Sequence, residues 1–184
     1  MKDDWAIVLD FLPHGYATQM RAHAVAQLIG EQNFNLLEAV PKENVTLTVG
    51  ERVYIGPDKR EKIGLVKGKI TSDKLTTTAS SELEHVLLDL VNKNEARFIG
   101  FFNEAGPITT KLHSLELLPG IGKKHMWQIL DERKKSQFQS FGDLKKRVPL
   151  LPDPKKSIIR RIIDELTGDE KWYIFCSPPK RDFY

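Results

Sequence analysis

The stretch from Leu117 to Lys124, LLPGIGKK, carries residue types whose spacing suits one chemical task. An apolar run ends at a proline, two glycines bracket one isoleucine, and two lysines begin a new helical pattern. Glycine tolerates positive φ and has no Cβ, so the backbone can turn tightly and approach a ligand closely. The first amides of the next helix lack intrahelical partners and, with the helix dipole, suit a phosphate oxygen. The pattern therefore predicts a phosphate-binding turn, and the alternative is an ordinary corner between two helices.

Charge is distributed unevenly along the 184 residues, whose net charge is +3. Residues 111–184 carry 16 Lys/Arg against 10 Asp/Glu, a net charge of +6, whereas residues 1–110 carry 12 against 15, a net charge of −3. A basic half beside an acidic half is typical of proteins with a polyanionic partner. A solvated basic surface is the alternative.

Other residue patterns point away from catalysis. None of the five histidines forms a pair with zinc-ligand spacing, and the single cysteine, Cys176, cannot complete a thiolate site. There is no P-loop and no Ser-His-Asp signature. We therefore expect no catalytic residues, no metal site built from side chains and no cofactor. No membrane helix or secretory signal is apparent, and one cysteine suits a reducing compartment, so we expect a cytoplasmic protein without membrane contact.

The first 109 residues have the organisation of a small, partly closed β-barrel with helical insertions. Short β-like runs with glycine bends surround a helix that begins at a capping box, Ser81–Glu84, and ends near residue 93. This arrangement predicts a barrel of the oligonucleotide-binding (OB) type over residues 1–109. The expected β segments are Trp5–Leu12, Val45–Val49, Arg52–Ile55, Ile63–Ile70 and Arg97–Phe102, with Phe34–Val40 as a strand or short helix. Apolar spacing over Thr18–Ile29 predicts a helix.

Residues 110–184 are expected to be helical apart from their last segment. Helices are expected over Lys111–Leu118, over Lys123–Lys134, around Phe141–Leu144, and from the N-cap Asp153 to Gly168. The apolar run Trp172–Cys176 is typical of a strand, and it should pack back onto a folded domain.

Residues 115–166 resemble a tandem helix-hairpin-helix unit, which binds nucleic acid without sequence preference. The first hairpin is Leu118–Gly122, and the second is expected at Leu150–Pro154, with Phe138–Val148 between them as the connector helix. The whole chain also resembles an uncharacterised archaeal family of proposed RNA-binding proteins. That family joins an N-terminal β-barrel to a C-terminal helix-hairpin-helix domain. The resemblance thus implies an α+β fold with an OB-like barrel at 1–109 and an all-α tandem helix-hairpin-helix domain at 110–184.

The resemblance also implies which residues would bind. Phosphate would lie at the first hairpin and the turn after it, on Gly120, Ile121, Gly122, Lys123 and Lys124. Many members hold a monovalent cation, K⁺ or Na⁺, on hairpin carbonyls, here those of Glu116, Leu118 and Ile121. The second hairpin lacks the Gly-x-Gly pattern, so its contribution would be charge, from Lys155, Lys156, Arg160 and Arg161.

A further binding face is expected on the barrel. Basic residues interleave there with aromatic ones, as in proteins that bind single strands, and the candidates are Tyr54, Lys67 and Lys69. The aromatic residues Phe98, Phe101 and Phe102 either add to this face or belong to the core.

These observations predict a non-catalytic nucleic-acid-binding protein of weak sequence specificity. RNA is favoured over DNA because of the whole-chain resemblance. The alternatives are a DNA-binding accessory of repair or nuclease enzymes, and a protein-docking module.

Overall fold

A computed structural model describes residues 3–16 and 23–178 of the chain. It divides into two compact units. The first unit comprises the described residues up to Val86 together with those from Asp164 onward, and the second is Leu87–Ile163. The boundaries thus fall inside helix α1, Thr77–Lys93, and helix α5, Pro154–Thr167, rather than at the expected position 109/110.

The first unit is built on a curled five-stranded antiparallel sheet. Its strand order is β4-β1-β2-β3-β5. The strands are β1 (Trp5–Leu12), β2 (Val25–Gly30), β3 (Leu36–Pro41), β4 (Arg52–Tyr54) and β5 (Ile63–Lys69). The apolar core on one face includes alternating residues of the central strands, such as Val8, Leu28 and Leu37, because successive strand residues face opposite sides. The mixed α and β composition that we expected is confirmed, and the strands at β1, β4 and β5 lie close to their expected positions.

Two expectations in this unit are wrong. Val25–Gly30 is a strand rather than the end of a helix over Thr18–Ile29, of which residues 18–22 lie outside the described part of the chain. Every residue of β2 is buried, so the alternation that marks a half-exposed strand is absent from its sequence. Val45–Val49 forms no strand, although Leu47 enters the core.

Helix α1 begins four residues before the expected capping box. The Thr76 hydroxyl accepts the Ala79 amide at 3.1 Å and donates to Asp10 Oδ2 at 2.6 Å. Gln27 on β2 is fully buried, and its Oε1 accepts the Thr76 amide at 2.9 Å. Thr76 therefore caps the helix and is fixed by side chains of β1 and β2, which outweighs the local signal at Ser81–Glu84.

The second unit is mainly helical. Besides parts of α1 and α5, it contains α2 (Glu95–Glu104), β6 (Pro107–Thr109), β7 (Leu112–His113), a 3₁₀ turn (Ser114–Leu117), α3 (Lys123–Lys135) and α4 (Phe141–Arg147). The expected β segment at Arg97–Phe102 is wrong. Phe98, Ile99 and Phe102 are buried at the spacing of one helix face, and this five-residue pattern is too short to separate from a strand. The expected helix at Lys111–Leu118 is likewise replaced by β7 and the 3₁₀ turn.

The segment Trp172–Cys176 belongs to the first unit, where Phe175 and Cys176 are buried, but it is not the expected strand. Its backbone donors bind one buried side chain: the Glu165 carboxylate accepts the amides of Ile174, Phe175 and Cys176 at 2.8, 3.0 and 2.7 Å. Glu165 is 2% exposed. A single side chain therefore satisfies backbone groups that a sheet would otherwise have to pair.

Among the described helices, none is long and apolar enough to cross a membrane.

Candidate nucleic-acid interface

The first hairpin, Leu118–Gly122, connects the 3₁₀ turn to α3 through a tight turn. Gly120 has φ +85°, and the Ile121 amide donates to the Leu118 carbonyl at 3.0 Å. Ile121 is 3% exposed and anchors the turn in the core, whereas Gly120 and Gly122 are exposed. Proline at the second position and positive φ at the third are the signature of a type II turn. The sequence therefore presents backbone, rather than side chains, at the tip of this hairpin.

Gly122 is the N-cap residue of α3, with φ −92° and ψ −175°. It has no side chain to accept a hydrogen bond from the first turn of the helix, whose amides belong to Lys123, Lys124 and His125. A Cβ added at Gly122 would meet no atom within 4 Å. The helix N-terminus is thus open to an external acceptor.

The second hairpin has a similar turn but comprises Val148–Pro154, and so starts two residues earlier than expected. Its third residue, Leu150, has φ +65°, and the Leu151 amide donates to the Val148 carbonyl at 3.4 Å. Proline again holds the second position, at Pro149, and the fourth residue, Leu151, is again buried. The two turns therefore repeat one backbone pattern with different side chains.

The helix after the second hairpin is capped from within. Asp153 Oδ1 accepts the amides of Lys155 at 3.0 Å and Lys156 at 3.4 Å. The first residue of α5, Pro154, has no amide hydrogen. All donors that an anion could use at this helix N-terminus are thus occupied or missing, and the Asp153 charge would repel an anion.

The two hairpins are neighbours in the second unit. A Cβ built on Gly120 would lie 3.1 Å from Cγ of Pro152. Close contact with Pro152 therefore adds to positive φ as a reason why glycine is required at position 120.

Side chains around the first hairpin are basic. Lys123 and Lys124 are exposed, and within the described residues neither forms an ion pair. By contrast, Lys134 and Lys135 at the other end of α3 pair with Asp131 and Glu132. The lysines of α3 that form no ion pair therefore lie at its N-terminus.

The 3₁₀ turn that leads into the first hairpin has its own cap. His113 Nδ1 accepts the Leu115 amide at 3.1 Å, and Glu116 accepts the His113 amide at 2.9 Å. Burial, and then the nearby Arg133 cation, lower the pKa of His113. Both effects favour the neutral imidazole, the form whose Nδ1 can accept the Leu115 amide.

Four residues on α5 were expected to supply charge, and the structure places them differently. Lys156 and Arg160 are exposed. Lys155 Nζ donates to Asn92 Oδ1 at 2.8 Å and lies 5.4 Å from the Phe141 ring centroid. Arg161 is 4% exposed, so its charge is not presented on the surface of the unit.

The candidates that were expected on a barrel lie in the first unit, on the two edge strands of the five-stranded sheet. Tyr54 is on β4, where its hydroxyl donates to Asp58 Oδ2 at 3.0 Å and its ring contacts Trp5 edge-on, with centroids 5.1 Å apart. Lys67 on β5 pairs with Glu38 at 2.7 Å, and Lys69 is exposed. Phe98, Phe101 and Phe102 belong to α2 in the second unit, where Phe98 and Phe102 are buried in the core.

One cavity of about 370 Å³ borders Trp5 and Tyr54. Its charged lining is already paired in part: Arg52 bonds Glu31 at 2.7 and 2.9 Å, and Lys62 bonds Glu51. The carboxylates that bind these cations reduce the attraction for phosphate, so the sheet of the first unit is a weaker candidate than the first hairpin.

Two further properties of the site bear on chemistry. Within the described residues no group of three or more His, Cys, Asp or Glu side chains could hold a metal ion. Of the carbonyls expected to bind a monovalent cation, that of Leu118 accepts the Ile121 amide and keeps a second lone pair.

Sequence reasoning missed Trp127, which lies on α3 and is 57% exposed. The signal was present in its spacing. Trp127 falls outside the apolar stripe that includes Met126 and Ile129, and it stands three and four residues after the two lysines.

Comparison with known proteins agrees with this architecture over nearly the whole chain. The chain is similar to "Uncharacterized protein MJ0038" of Methanocaldococcus jannaschii, with 46% identity over 175 residues, covering 94% of this chain and 79% of that protein. The crystal structure of Af1531 from Archaeoglobus fulgidus matches with a TM-score of 0.88 and 39% identity, covering 95% of this chain and all of that one. The family model described as "Protein of unknown function (DUF655)" matches residues 2–177. The chain therefore belongs to the DUF655 family.

Proposed function

We propose that this protein binds nucleic acid without catalysis and with weak sequence specificity, gripping a phosphate on the first hairpin of a tandem helix-hairpin-helix domain. One observation carries the proposal: of two similar hairpins, the second has its helix amides occupied by Asp153, and the first leaves them open beside Lys123 and Lys124. Asp153 also shows which chemistry suits such a helix terminus, because its carboxylate oxygen takes the place that a phosphate oxygen would take.

Charge supports the same proposal. The second unit carries 15 Lys/Arg against 8 Asp/Glu, a net charge of +7, whereas the rest of the chain carries 13 against 17, a net charge of −4. A polyanion would be attracted to the unit that contains the first hairpin. RNA is the preferred polyanion on the whole-chain resemblance alone, and the OB-like barrel proposed for the first unit would contribute a second binding surface.

A monovalent cation on the carbonyls of Glu116, Leu118 and Ile121 is a secondary part of the proposal. Carbonyl oxygens are suitable ligands for K⁺ or Na⁺. Its contribution would be to fix the hairpin carbonyls in place.

The test is to give the first hairpin the cap that the second already has. We expect Gly122→Asp to leave the fold intact, because a Cβ there meets open space and Asp is a good N-cap residue. Affinity for a fluorescein-labelled 12-nucleotide RNA should nevertheless fall about ten-fold or more, since a carboxylate would occupy the amides and repel the phosphate. The measurement is fluorescence anisotropy, with circular dichroism and a urea unfolding curve to confirm the fold.

Three matched variants separate the possible causes. Gly122→Asn caps the amides without charge and should lose part of the affinity, and Gly122→Ala leaves them uncapped and should lose least. Lys123→Ala with Lys124→Ala keeps the amides and should reduce the salt dependence by about one unit of log-log slope for each phosphate that is no longer neutralised. If folded Gly122→Asp and Gly122→Asn bind as well as the wild type, the first hairpin is only a structural corner.

The same titration is repeated with double-stranded RNA and with single- and double-stranded DNA. Tighter binding of DNA than of RNA would favour the role of a DNA-binding accessory protein. Protein docking is a second candidate because Leu150, a large apolar residue, is 87% exposed at the tip of the second hairpin. A wild-type protein that binds none of these nucleic acids would favour docking.

A further inference from the structure

The exposed indole of Trp127 is the feature of the second unit that the proposed function leaves unused. Trp127 is 57% exposed, the highest exposure of any aromatic residue among the large exposed hydrophobic residues of the described chain. Within those residues no aromatic ring or cation contacts it. A tryptophan of this kind is a large apolar surface in water, and its position needs a reason other than packing.

The position of Trp127 on α3 relates it to the open end of the helix. It follows Lys124 by three residues and Lys123 by four, and residues at these spacings are neighbours on a helix surface. Helical side chains lean toward the N-terminus of their helix, so the indole leans toward these lysines and the first hairpin. An apolar ring and two uncompensated cations thus share one exposed surface.

This pairing matches the chemistry of one ligand class. A nucleotide joins an anionic phosphate to a flat aromatic base, and binding sites for single strands combine cationic groups with aromatic rings on which bases stack. A base in a duplex has both faces covered by its neighbours and offers none to an indole. The cations alone would suit any polyanion, so the indole is what separates unpaired from paired nucleic acid.

We infer that Trp127 stacks on an unpaired base next to the phosphate held at the first hairpin, which makes the ligand a single strand or an unpaired segment rather than a duplex. The inference rests on the proposed function and narrows its substrate class. Since every base has a π face, stacking on one indole is compatible with weak sequence specificity.

The test compares a base-bearing strand with a strand that has the same charge and no bases. Wild-type protein is titrated by fluorescence anisotropy with a labelled 12-nucleotide single-stranded RNA, with an abasic 12-mer that keeps all the phosphates, and with the corresponding duplex. We expect the base-bearing strand to bind about ten-fold more tightly than the abasic one, the size of a single stacking interaction. A single-stranded DNA of the same sequence shows whether the sugar matters.

The variants at position 127 then assign that difference to the indole. Trp127→Ala should lose about ten-fold on the base-bearing strand, lose nothing on the abasic strand and keep the same salt slope, because no charge is removed. Trp127→Phe should retain much of the affinity, and Trp127→Leu, which keeps apolar bulk without a ring, should behave like Trp127→Ala. All are exposed-surface changes whose fold circular dichroism checks.

Failure of the inference is distinguishable from failure of the proposed function. If Gly122→Asp loses affinity while wild type and Trp127→Ala bind base-bearing and abasic strands equally, phosphate binding stands and stacking is overturned. An equal loss by Trp127→Ala on both strands, or a duplex bound as tightly as the single strand, also overturns it. No binding of any strand by the wild type overturns both.

Discussion

Gly120 and Leu150 stand at the same position of two similar turns, and the backbone at both has positive φ. For glycine this conformation is free of strain, whereas a side chain in it costs about 1–2 kcal/mol. Leu150 is 87% exposed, so no packing that would offset the strain is evident. Strain without a packing reason is characteristic of positions kept for contact with another molecule.

Opposite effects on stability should follow at these two residues. Gly120→Ala should lower the free energy of unfolding by about 1–2 kcal/mol, because it introduces positive-φ strain and a close approach to Pro152. Leu150→Asn should raise it by about 0.5–1 kcal/mol, because Asn tolerates this conformation better and little packing is removed. Urea unfolding of both variants beside the wild type measures the difference, and two changes of the same sign would contradict the strain argument.

The sequence predicted some residues of the site correctly and could not predict the surroundings of others. The glycines, the lysines and the Asp153 cap were all visible in the residue pattern. The pattern could not show that Arg161 is buried or that Lys155 is bound to Asn92, because burial of a basic side chain depends on which helix face the neighbouring elements cover.

Among the elements, the 3₁₀ turn before the first hairpin should make the stability of the protein depend on pH. Its cap requires neutral His113, whose pKa is lowered by burial and by Arg133. A histidine with a lowered folded pKa contributes stability that is complete above its unfolded value of about 6.5 and is lost as pH falls toward the folded value, because the unfolded chain then binds the proton more readily.

The wild type should therefore lose stability between about pH 7.5 and 5.5, and His113→Asn should lose less over that interval. Asn keeps an acceptor for the Leu115 amide and does not titrate, so it is a matched control for the cap. Urea unfolding of both proteins at both pH values measures the loss of unfolding free energy. The contributions of the other histidines are the same in both proteins and cancel in the difference. Equal losses for the two proteins would show that His113 does not contribute to the pH dependence.

Errors in the element assignment share a physical origin. β2 lies buried on both faces, and α2 shows only a short apolar pattern around Phe98, so local periodicity favoured the opposite element in each case. The helices α3 and α5 were predicted nearly to their observed bounds because each has a clear N-terminal signal, Gly122 for α3 and Asp153 for α5. Tertiary contacts determine the secondary structure of the ambiguous segments, and local capping determines where the clearly predicted helices begin.

For the whole molecule, the decisive property is the separation of charge. The helical second unit is strongly basic and the rest of the chain is acidic, a contrast sharper than the one between the two halves of the sequence. The acidic part would weaken non-specific adhesion of a polyanion to the remaining surface, so binding should concentrate on the second unit.

Binding by the intact protein should depend steeply on salt. Neutralised phosphates release counterions, so neutralising about three to six phosphates predicts a log-log slope of roughly −2 to −5 for affinity against salt concentration. Anisotropy titrations between about 50 and 200 mM KCl give the slope, because the salt dependence of affinity is large in this range. An affinity that does not change across this range would remove the polyanion proposal.

The Glu165 carboxylate has a consequence for cooperativity. Because one side chain accepts the amides of three consecutive residues, detaching any one of them leaves the buried carboxylate with fewer hydrogen bonds, which is costly. We therefore expect the three residues to dock or detach cooperatively. The thiol of Cys176, the chain's single cysteine, is buried in the docked segment, so we expect release of the segment to increase its reactivity toward thiol reagents.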